Sequence, residues 1–301
     1  MRRLLVIGAS GLVGGRVMER ARAEGLAAVG TSTRGGGALS AFDLLSDAPE
    51  RLQGLVPIDA ETAVVVAAGK TEIRWCKEHP DEARAINVTA MQRLLAYVAG
   101  QGAQAVWFSS DAVFDGTRGR YTERDAPSPL NLYGAQKAEM EAWLVEHLPQ
   151  VLVYRLAKLA DRRVEGRHLF SDLYHQYQSG QTMRCIEGLT FCPTAVDDVA
   201  ACVLAGLRRR LCGRYNVANP VAYTREAIAR LFVGSRPCRI ESLPLAAWHF
   251  IEPKALDTTL DTGKFQATCP DVTFTPMAEL AATFWRDADA KQPRKRETAG
   301  P

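Results

Sequence analysis

The sequence predicts an α/β protein in which a doubly wound parallel sheet is combined with a smaller, mixed α/β lobe toward the C-terminus. Short apolar runs alternate with amphipathic helical patterns over the first two-thirds of the chain. Residues 63–68 read AVVVAA, the uncharged pattern of a central strand that is covered on both faces. The chain has 301 residues, 47% hydrophobic and 24% charged, which is enough to bury a large core.

The predicted elements alternate in the order that this fold class requires. A buried-strand pattern at residues 4–7 leads into a glycine loop and then into an amphipathic helix over residues 12–22. Further strands are predicted at residues 27–31, 40–43, 63–68, 105–109 and 151–156, and further helices at 81–98 and 133–147. Ligands of such sheets bind beyond the carboxyl ends of the strands, so functional residues are expected in the loops that follow them.

After residue 156 the pattern becomes irregular and predicts the smaller lobe. Helices are predicted at residues 168–178, 197–209 and 224–232, with a strand at 215–217. Residues 289–301 carry several basic side chains among polar residues and are expected to form a disordered tail.

Charge and cysteine usage exclude several classes of protein. The net charge of +3, from 37 basic and 34 acidic residues, is too balanced for a dedicated nucleic-acid binder. The seven cysteines are scattered, without Cys-x-x-Cys pairs, and the five histidines show no metal-ligand spacing, so neither a disulfide framework nor a metal site is expected. The longest apolar runs are too short to span a membrane, and a cytoplasmic protein is expected.

The loop after the first strand has the pattern of a nucleotide-binding site. Gly8, Gly11 and Gly14 are spaced as G-x-x-G-x-x-G between a predicted strand and a predicted helix. Small residues at this spacing allow a tight turn, close backbone approach and a helix N-terminus that faces a phosphate. The alternative is a tight turn without a ligand.

The end of the second predicted strand favours NADP(H) over NAD(H). No acidic residue lies between Glu24 and Asp43, where an acid would bind the ribose 2′-hydroxyl of NAD. Ser32, Thr33 and Arg34 instead offer hydroxyls and a guanidinium for a 2′-phosphate. The alternative is that Arg34 is a solvated loop residue.

Three residues form a candidate catalytic set. Tyr133 and Lys137 are four residues apart on a predicted helix and therefore lie on one face, and Ser110 follows the strand predicted at residues 105–109. A lysine ammonium beside a phenol is expected to lower the phenol pKa, so that Tyr133 can act as an acid or a base. Ser110 could hydrogen-bond a substrate carbonyl. The alternative is an amphipathic helix with a surface lysine.

Together these motifs resemble the extended short-chain dehydrogenase/reductases, and within them the dTDP-4-dehydrorhamnose reductase family. The resemblance covers residues 3–285 and rests on GASGLVG (8–14), SSDAVFDG (109–116), YGAQK (133–137) and PTAVDDVA (193–200), among other segments. It implies a Rossmann NADP-binding domain over residues 1–157, with residues 194–218 returning to it. Residues 158–193 and 219–288 would then form the lobe that binds a sugar nucleotide.

The implied reaction is NADPH-dependent reduction of a keto group, expected at C4, on a nucleotide-activated deoxysugar. Tyr133 would donate the proton, Ser110 would position the oxygen, and Lys137 would hold the nicotinamide ribose. The alternatives are a sugar-nucleotide epimerase or dehydratase and a non-catalytic, NADP-binding regulatory subunit. A homodimer is an option that the sequence leaves open.

The resemblance also implies residues for each ligand. Cofactor contacts are expected from Gly8, Ser10, Gly11, Leu12, Val13, Gly14, Ser32, Thr33, Arg34, Asp43, Leu44, Ala67, Ala68, Gly69, Ser109, Tyr133, Lys137 and Leu156. Substrate contacts are expected from Thr71, Trp75, Ser110, Asp111, Val113, Phe114 and Lys158.

This chain departs from the family pattern at two positions and matches a residue of the wider superfamily at a third. Lys70 and Lys158 stand where the family usually has aromatic residues, so a different or differently charged sugar is expected. Asn87 matches the helix asparagine that supports the lysine in the wider superfamily. A surface role is expected for His168, at the start of a helix.

Overall fold

A computed structural model of the chain describes residues 1–291. Its strands are β1 (Arg3–Ile7), β2 (Ala27–Ser32), β3 (Leu39–Ala41), β4 (Thr62–Val66), β5 (Gln104–Ser110), β6 (Leu152–Leu156), β7 (Leu159–Ala160), β8 (Met183–Ile186), β9 (Thr190–Phe191), β10 (Thr194–Ala195), β11 (Gly213–Val217), β12 (Tyr223–Thr224) and β13 (Ile240–Leu243). Seven of them form one parallel sheet in the order β11-β6-β5-β4-β1-β2-β3. This sheet confirms the predicted fold class.

Helices cover both faces of the sheet. They are α1 (Leu12–Ala23), α2 (Ile73–Glu78), α3 (Pro80–Arg84), α4 (Met91–Gly100), α5 (Leu132–His147), α6 (Leu169–Gln178), α7 (Val196–Arg208), α8 (Arg225–Val233), α9 (Gly263–Thr268) and α10 (Met277–Lys291). Helices α1 and α7 pack on one face, and α4 and α5 on the other. Every residue of β4 is buried, as its uncharged sequence predicts for a strand between two helical layers.

The smaller lobe has a hydrophobic core of its own. Helices α6, α8 and α10 contribute buried aromatic residues to it, including Phe170, Phe232 and Phe284. Short strand pairs, among them the parallel pair β8 and β13, complete the lobe. The lobe follows β6 directly, which brings it to the carboxyl edge of the sheet.

Two predicted segments differ in the structure. The helix predicted at residues 81–98 is interrupted by a π-helical turn at Ala85–Ala90, between α3 and α4. The prediction of a disordered tail was wrong for residues 289–291, because they belong to α10. Within this helix, Asp289 forms a salt bridge with Arg236 at 3.2 Å. The rest of that predicted tail lies outside the described residues. Within residues 1–291 there is no helix with the length and apolar character to cross a membrane.

Candidate active site

The glycine loop is a close-packed turn between β1 and α1. Gly8 has a φ of +84°, and a side chain there would place Cβ 2.7 Å from the Ala68 nitrogen. A Cβ on Gly14 would lie 2.3 Å from the Gly8 carbonyl oxygen. Glycine is therefore required at both positions, because backbone occupies the space of a side chain. Gly11 caps α1, whose N-terminus opens toward the carboxyl edge of the sheet.

Two adjoining clefts run along this edge and share Thr71 and Lys158 in their walls. The first, which we call the glycine-loop cleft, is lined by Ser10, Gly11 and Leu12, and by Gly69 from the loop after β4. The second, the serine–tyrosine cleft, has a volume of about 590 Å³. It contains several other residues expected to contact the cofactor, namely Val13, Ala67, Ala68, Tyr133, Lys137 and Leu156.

The residues expected around the adenine lie beyond these clefts, at the ends of β2 and β3. Thr33 and Arg34 are exposed, and the Ser32 hydroxyl donates to the Gly35 carbonyl at 3.2 Å. One carboxylate oxygen of Asp43 accepts from the Leu45 nitrogen at 2.8 Å and shapes the following turn, while Leu44 packs against the core. The exposed Arg34 guanidinium is available to an anionic ligand.

The structure brings the candidate catalytic residues together. Ser110, Tyr133 and Lys137 all line the serine–tyrosine cleft. Ser110 ends β5, and its hydroxyl accepts from the Ala112 nitrogen at 3.2 Å. Asn131 caps α5 by accepting from the Gly134 nitrogen at 2.8 Å, which fixes the helix start that carries Tyr133.

Tyr133 is held as a protonated phenol. Its side chain is buried, and burial raises its pKa above the ordinary value, an effect that the nearby Ser110 hydroxyl partly offsets. The expected lowering of this pKa by Lys137 was therefore wrong for the protein without ligands, because removal of the phenol from water is the stronger effect. A protonated Tyr133 suits the role of proton donor.

Lys137 is a buried lysine with a single strong hydrogen bond. Its Nζ donates to the Phe108 carbonyl oxygen at 2.7 Å and lies 4.3 Å from the centre of the Trp107 ring. Burial lowers its pKa from 10.5 to about 8, while the negative charge of Glu141 acts in the opposite direction. The lysine is therefore mostly charged at neutral pH, although it lies within the protein.

Beneath the cleft, Glu141 is the centre of a buried ionic network. Its carboxylate accepts from Arg155 at 2.9 and 2.6 Å, from Arg214 at 2.6 Å and from Ser109 at 2.5 Å. Burial alone would raise the pKa of Glu141, but these hydrogen bonds and charges lower it. The Ser109 hydroxyl is thus used by Glu141, but Ser109 still lines the serine–tyrosine cleft, and the cofactor contact expected from it stays a prediction.

Asp111 is a second polar group at the reacting end of the cleft. Its carboxylate accepts from the Ser110 hydroxyl at 3.0 Å and from the Thr258 hydroxyl at 3.0 Å. Burial raises the pKa of Asp111 above its usual range, and the hydrogen bonds from Thr258 and Ser110 act against this. Asp111 therefore orients Ser110 and links β5 to the smaller lobe.

The residues expected to contact substrate divide into two groups. Thr71, Ser110, Asp111, Phe114 and Lys158 line the serine–tyrosine cleft. The expectation for Val113 was wrong, because the 3-10 turn after β5 buries it fully in a hydrophobic cluster. Trp75 lies in the adjoining glycine-loop cleft, 4.7 Å from the Lys70 ammonium, and its contact with substrate stays a prediction.

Two roles predicted outside the catalytic set also need correction. Asn87 makes no hydrogen bond to Lys137 in the described structure; its side-chain amide accepts from the Lys70 nitrogen and donates to the Lys70 carbonyl oxygen, each at 2.9 Å, and so fixes the loop after β4. His168 is buried, with 3% exposure, and its Nδ1 accepts from the Ser171 nitrogen at 3.2 Å to cap α6. A surface role for His168 was therefore wrong.

Sequence reasoning missed the residues that the smaller lobe adds to the cleft. Thr258, Lys254 and Arg225 line it, together with Phe250 and Phe191. They come from irregular, proline-containing segments or from helix ends, where neither spacing nor periodicity indicates a site. No cluster of metal-ligating side chains occurs within residues 1–291.

A family model described as "RmlD substrate binding domain" matches residues 1–273. The chain belongs to this family. The resemblance to the extended short-chain dehydrogenase/reductases and to the dTDP-4-dehydrorhamnose reductases is thereby confirmed. The family includes oxidoreductases such as dTDP-4-dehydrorhamnose reductase.

Curated relatives of this family member differ in what they do. The beta subunit of methionine adenosyltransferase 2 from Bos taurus is 35% identical over 159 residues, which is 52% of this chain and 47% of that protein. The chain thus spans about half the length of these relatives. A probable low-salt glycan biosynthesis reductase of Haloferax volcanii is 29% identical over 231 residues, covering 73% of this chain and 75% of that protein.

Solved structures support the fold of this family member. The dTDP-4-dehydrorhamnose reductase of Bacillus anthracis, solved in complex with NADP, superposes with a TM-score of 0.82 at 19% identity, covering 95% of this chain and 99% of that one. The Clostridium acetobutylicum ortholog gives a TM-score of 0.83 at 18% identity, with coverage of 95% and 99%. At these identities the likeness concerns the fold alone.

Proposed function

We propose that this protein is an NADPH-dependent reductase of a keto group, at C4, on a nucleotide-activated deoxysugar. The observation that carries the proposal is that Ser110, Tyr133 and Lys137 line one cleft, which joins the cleft of the glycine loop. A proton donor, a hydroxyl for the carbonyl and a nucleotide-binding loop are what carbonyl reduction requires. Membership of a family that includes such reductases supports it.

The residues present fit a bound NADP(H). Gly8 and Gly14 leave a turn in which a side chain would collide with backbone, so that backbone and the α1 N-terminus can meet a pyrophosphate. Ser10, Gly11 and Leu12 would hold the pyrophosphate, Ser32, Thr33 and Arg34 the 2′-phosphate, and Lys137 the nicotinamide ribose. When bound, NADPH supplies the hydride.

The chain's own residues do the remaining work. Tyr133 holds its proton because burial disfavours the phenolate, and it releases the proton to the carbonyl oxygen as negative charge develops there. The Ser110 hydroxyl donates its single proton to Asp111 in the protein without ligands, so it would turn from Asp111 to donate a hydrogen bond to the same oxygen when substrate binds. Apolar residues such as Phe108 and Leu156 line the cleft and would exclude water from it once the ligands are bound, which would strengthen these interactions.

The smaller lobe is proposed to bind the sugar nucleotide through residues 158–193 and 219–288. The dehydratase alternative is disfavoured, because elimination of water needs an acid and a base, and Ala112 follows Asp111 where dehydratases of this resemblance have a second acid.

A second candidate function is a non-catalytic, NADP-binding subunit of a larger enzyme. The observation that favours it is the 35% identity to a subunit of methionine adenosyltransferase over 159 residues. The presence of Ser110, Tyr133 and Lys137 in one cleft favours the reductase, because a subunit that acts by binding does not need a proton donor.

The test is incubation of the protein with NADPH and a panel of 4-keto-6-deoxy sugar nucleotides, with oxidation of the nicotinamide followed by absorbance. The expected result is oxidation with one or more sugars and formation of the corresponding alcohol. NADPH binding without reduction of any keto sugar would overturn the proposal in favour of the subunit. Water elimination from a 4-hydroxy sugar nucleotide, without net NADPH oxidation, would instead establish a dehydratase.

A further inference from the structure

The half of the serine–tyrosine cleft that faces the smaller lobe is rich in positive charge. Lys158 follows β6, Arg225 begins α8, and Lys254 lies in the segment before Thr258. Apolar side chains, including Phe191 and Phe250, form much of the wall around them. Three cations therefore face one cleft with a largely apolar wall.

These cations have few partners within the protein. Lys158 makes an ion pair with Asp172 at 3.6 Å, but both side chains are about half exposed. Within residues 1–291, Arg225 and Lys254 make no salt bridge. Burial lowers the pKa of Lys254, the positive charges of Lys158 and Arg225 lower it further, and Asp111 opposes them. Arg225 and Lys254 are thus partly buried cations without a salt bridge, which destabilises the protein, so an anionic ligand is expected beside them.

The cations are not equivalent in position. Lys254 and Lys158 both act electrostatically on Asp111, whose carboxylate bonds the Ser110 hydroxyl at the reacting end. Arg225 also lines a neighbouring groove with Arg184. The charges of the two lysines thus act at the Ser110 end of the cleft, whereas Arg225 lies where the cleft meets this groove.

We propose that Lys158 and Lys254 bind a carboxylate carried by the sugar ring, so that the preferred substrate is an acidic keto sugar nucleotide. Arg225 would then contact the diphosphate. This inference rests on the proposed reductase function and replaces its neutral 6-deoxysugar with a sugar that carries a carboxylate at C5, so the panel of keto sugars is extended to such acidic sugar nucleotides. Lys158 stands at a position where the family resemblance implies an aromatic residue against a neutral sugar. A lysine in place of the aromatic residue adds a positive charge, for which a neutral sugar has no anionic partner.

The experiment compares two ligands that differ in one group. UDP-glucuronate and UDP-glucose share nucleotide and ring stereochemistry but carry a carboxylate or a hydroxymethyl group at C5, and the thymidine pair repeats the comparison with another base. Affinities are measured by calorimetry with protein saturated with NADP⁺. The protein should bind the glucuronate more tightly by roughly 10- to 100-fold, the range for a charge-assisted hydrogen bond.

Variants identify the residues responsible for the preference for the carboxylate. In Lys254→Gln and Lys158→Gln the ratio of the two affinities should fall toward one, whereas Lys254→Arg, which keeps the charge, should retain the preference. Arg225→Gln should weaken both ligands by the same factor. NADPH binding and the thermal unfolding midpoint of each variant show that the fold is kept.

Three other results would contradict the proposal. Equal affinity for both ligands in the unsubstituted protein would refute the carboxylate site while leaving the reductase function intact. Equal losses of affinity for both ligands in Lys254→Gln would show that this lysine binds the diphosphate instead. If neither ligand binds to protein that retains NADPH binding and reduces no keto sugar, the proposed function fails and this inference fails with it.

Discussion

Replacing Lys137 with methionine should stabilise the protein by about 2 kcal/mol at pH 7. The lysine is buried, with 7% exposure, and its pKa falls from 10.5 to about 8 on folding. At 1.36 kcal/mol per pH unit this difference corresponds to roughly 3 kcal/mol of destabilisation from keeping the ammonium charged inside the protein. Methionine has a similar shape but gives up the hydrogen bond to the Phe108 carbonyl, worth about 1 kcal/mol.

The gain in the free energy of unfolding from Lys137→Met should depend on pH. Because the pKa of Lys137 is lower in the folded protein, the unfolded chain binds more protons between pH 8 and 10.5. The stability contributed by this residue therefore rises with pH across that window. The gain from Lys137→Met should be largest below pH 8 and should be lost by about pH 10.5.

The assay is urea unfolding of both proteins without cofactor at pH 7 and pH 9.5, followed by tryptophan fluorescence. Other titrating groups cancel, because only the difference between the two proteins is compared at each pH. A gain of equal size at both pH values, or a loss at pH 7, would refute the account of Lys137 as a buried charge. Affinity for NADPH should fall in the variant, which would show that the lysine is retained for binding at the expense of stability.

Three further predictions concern single residues. Tyr133→Phe keeps the ring and removes the proton donor, so the reduction rate should fall about 10²- to 10⁴-fold while NADPH still binds. Full activity in steady-state assays would show that another group is the acid. Arg34→Ala should weaken NADPH by about 1.5–3 kcal/mol and leave NADH unchanged in fluorescence titrations, and equal losses would exclude a 2′-phosphate contact. Glu141→Gln leaves the buried Arg155 without its partner and should cost about 3–5 kcal/mol in urea unfolding. The matched change Glu139→Gln, in an exposed pair with Arg84, should cost about 1 kcal/mol or less, and similar losses in both variants would contradict the argument.

Much of the sheet could be predicted from the sequence, because its strands carry local signals. Strand β4 is a run of mostly apolar residues, and the spacing of the glycines predicts a turn between a strand and a helix. The spacing of Tyr133 and Lys137 by four residues places them on one helix face whatever surrounds them. The position of Ser110 at the end of β5 then brings the three residues to one edge of the sheet.

The electrostatic state of the same residues could not be predicted from spacing. The pKa of Tyr133 depends on how much water reaches the phenol, and only the packed structure shows that burial outweighs the effect expected from Lys137. Likewise, Ser109 and Ser110 are adjacent in sequence, but strand alternation sends one hydroxyl to Glu141 and the other to Asp111.

The sequence by itself determined the nucleotide loop, the parallel sheet and the candidate proton donor, because each of these follows from periodicity or from spacing within one element. Tertiary structure alone decided which residues of the smaller lobe reach the cleft. Thr258, Lys254 and Arg225 lie more than 80 residues beyond Tyr133 in the chain and meet Ser110 and Asp111 only after the lobe packs over the sheet. Contacts of that separation leave no periodic signal, since they depend on how the two cores are placed together.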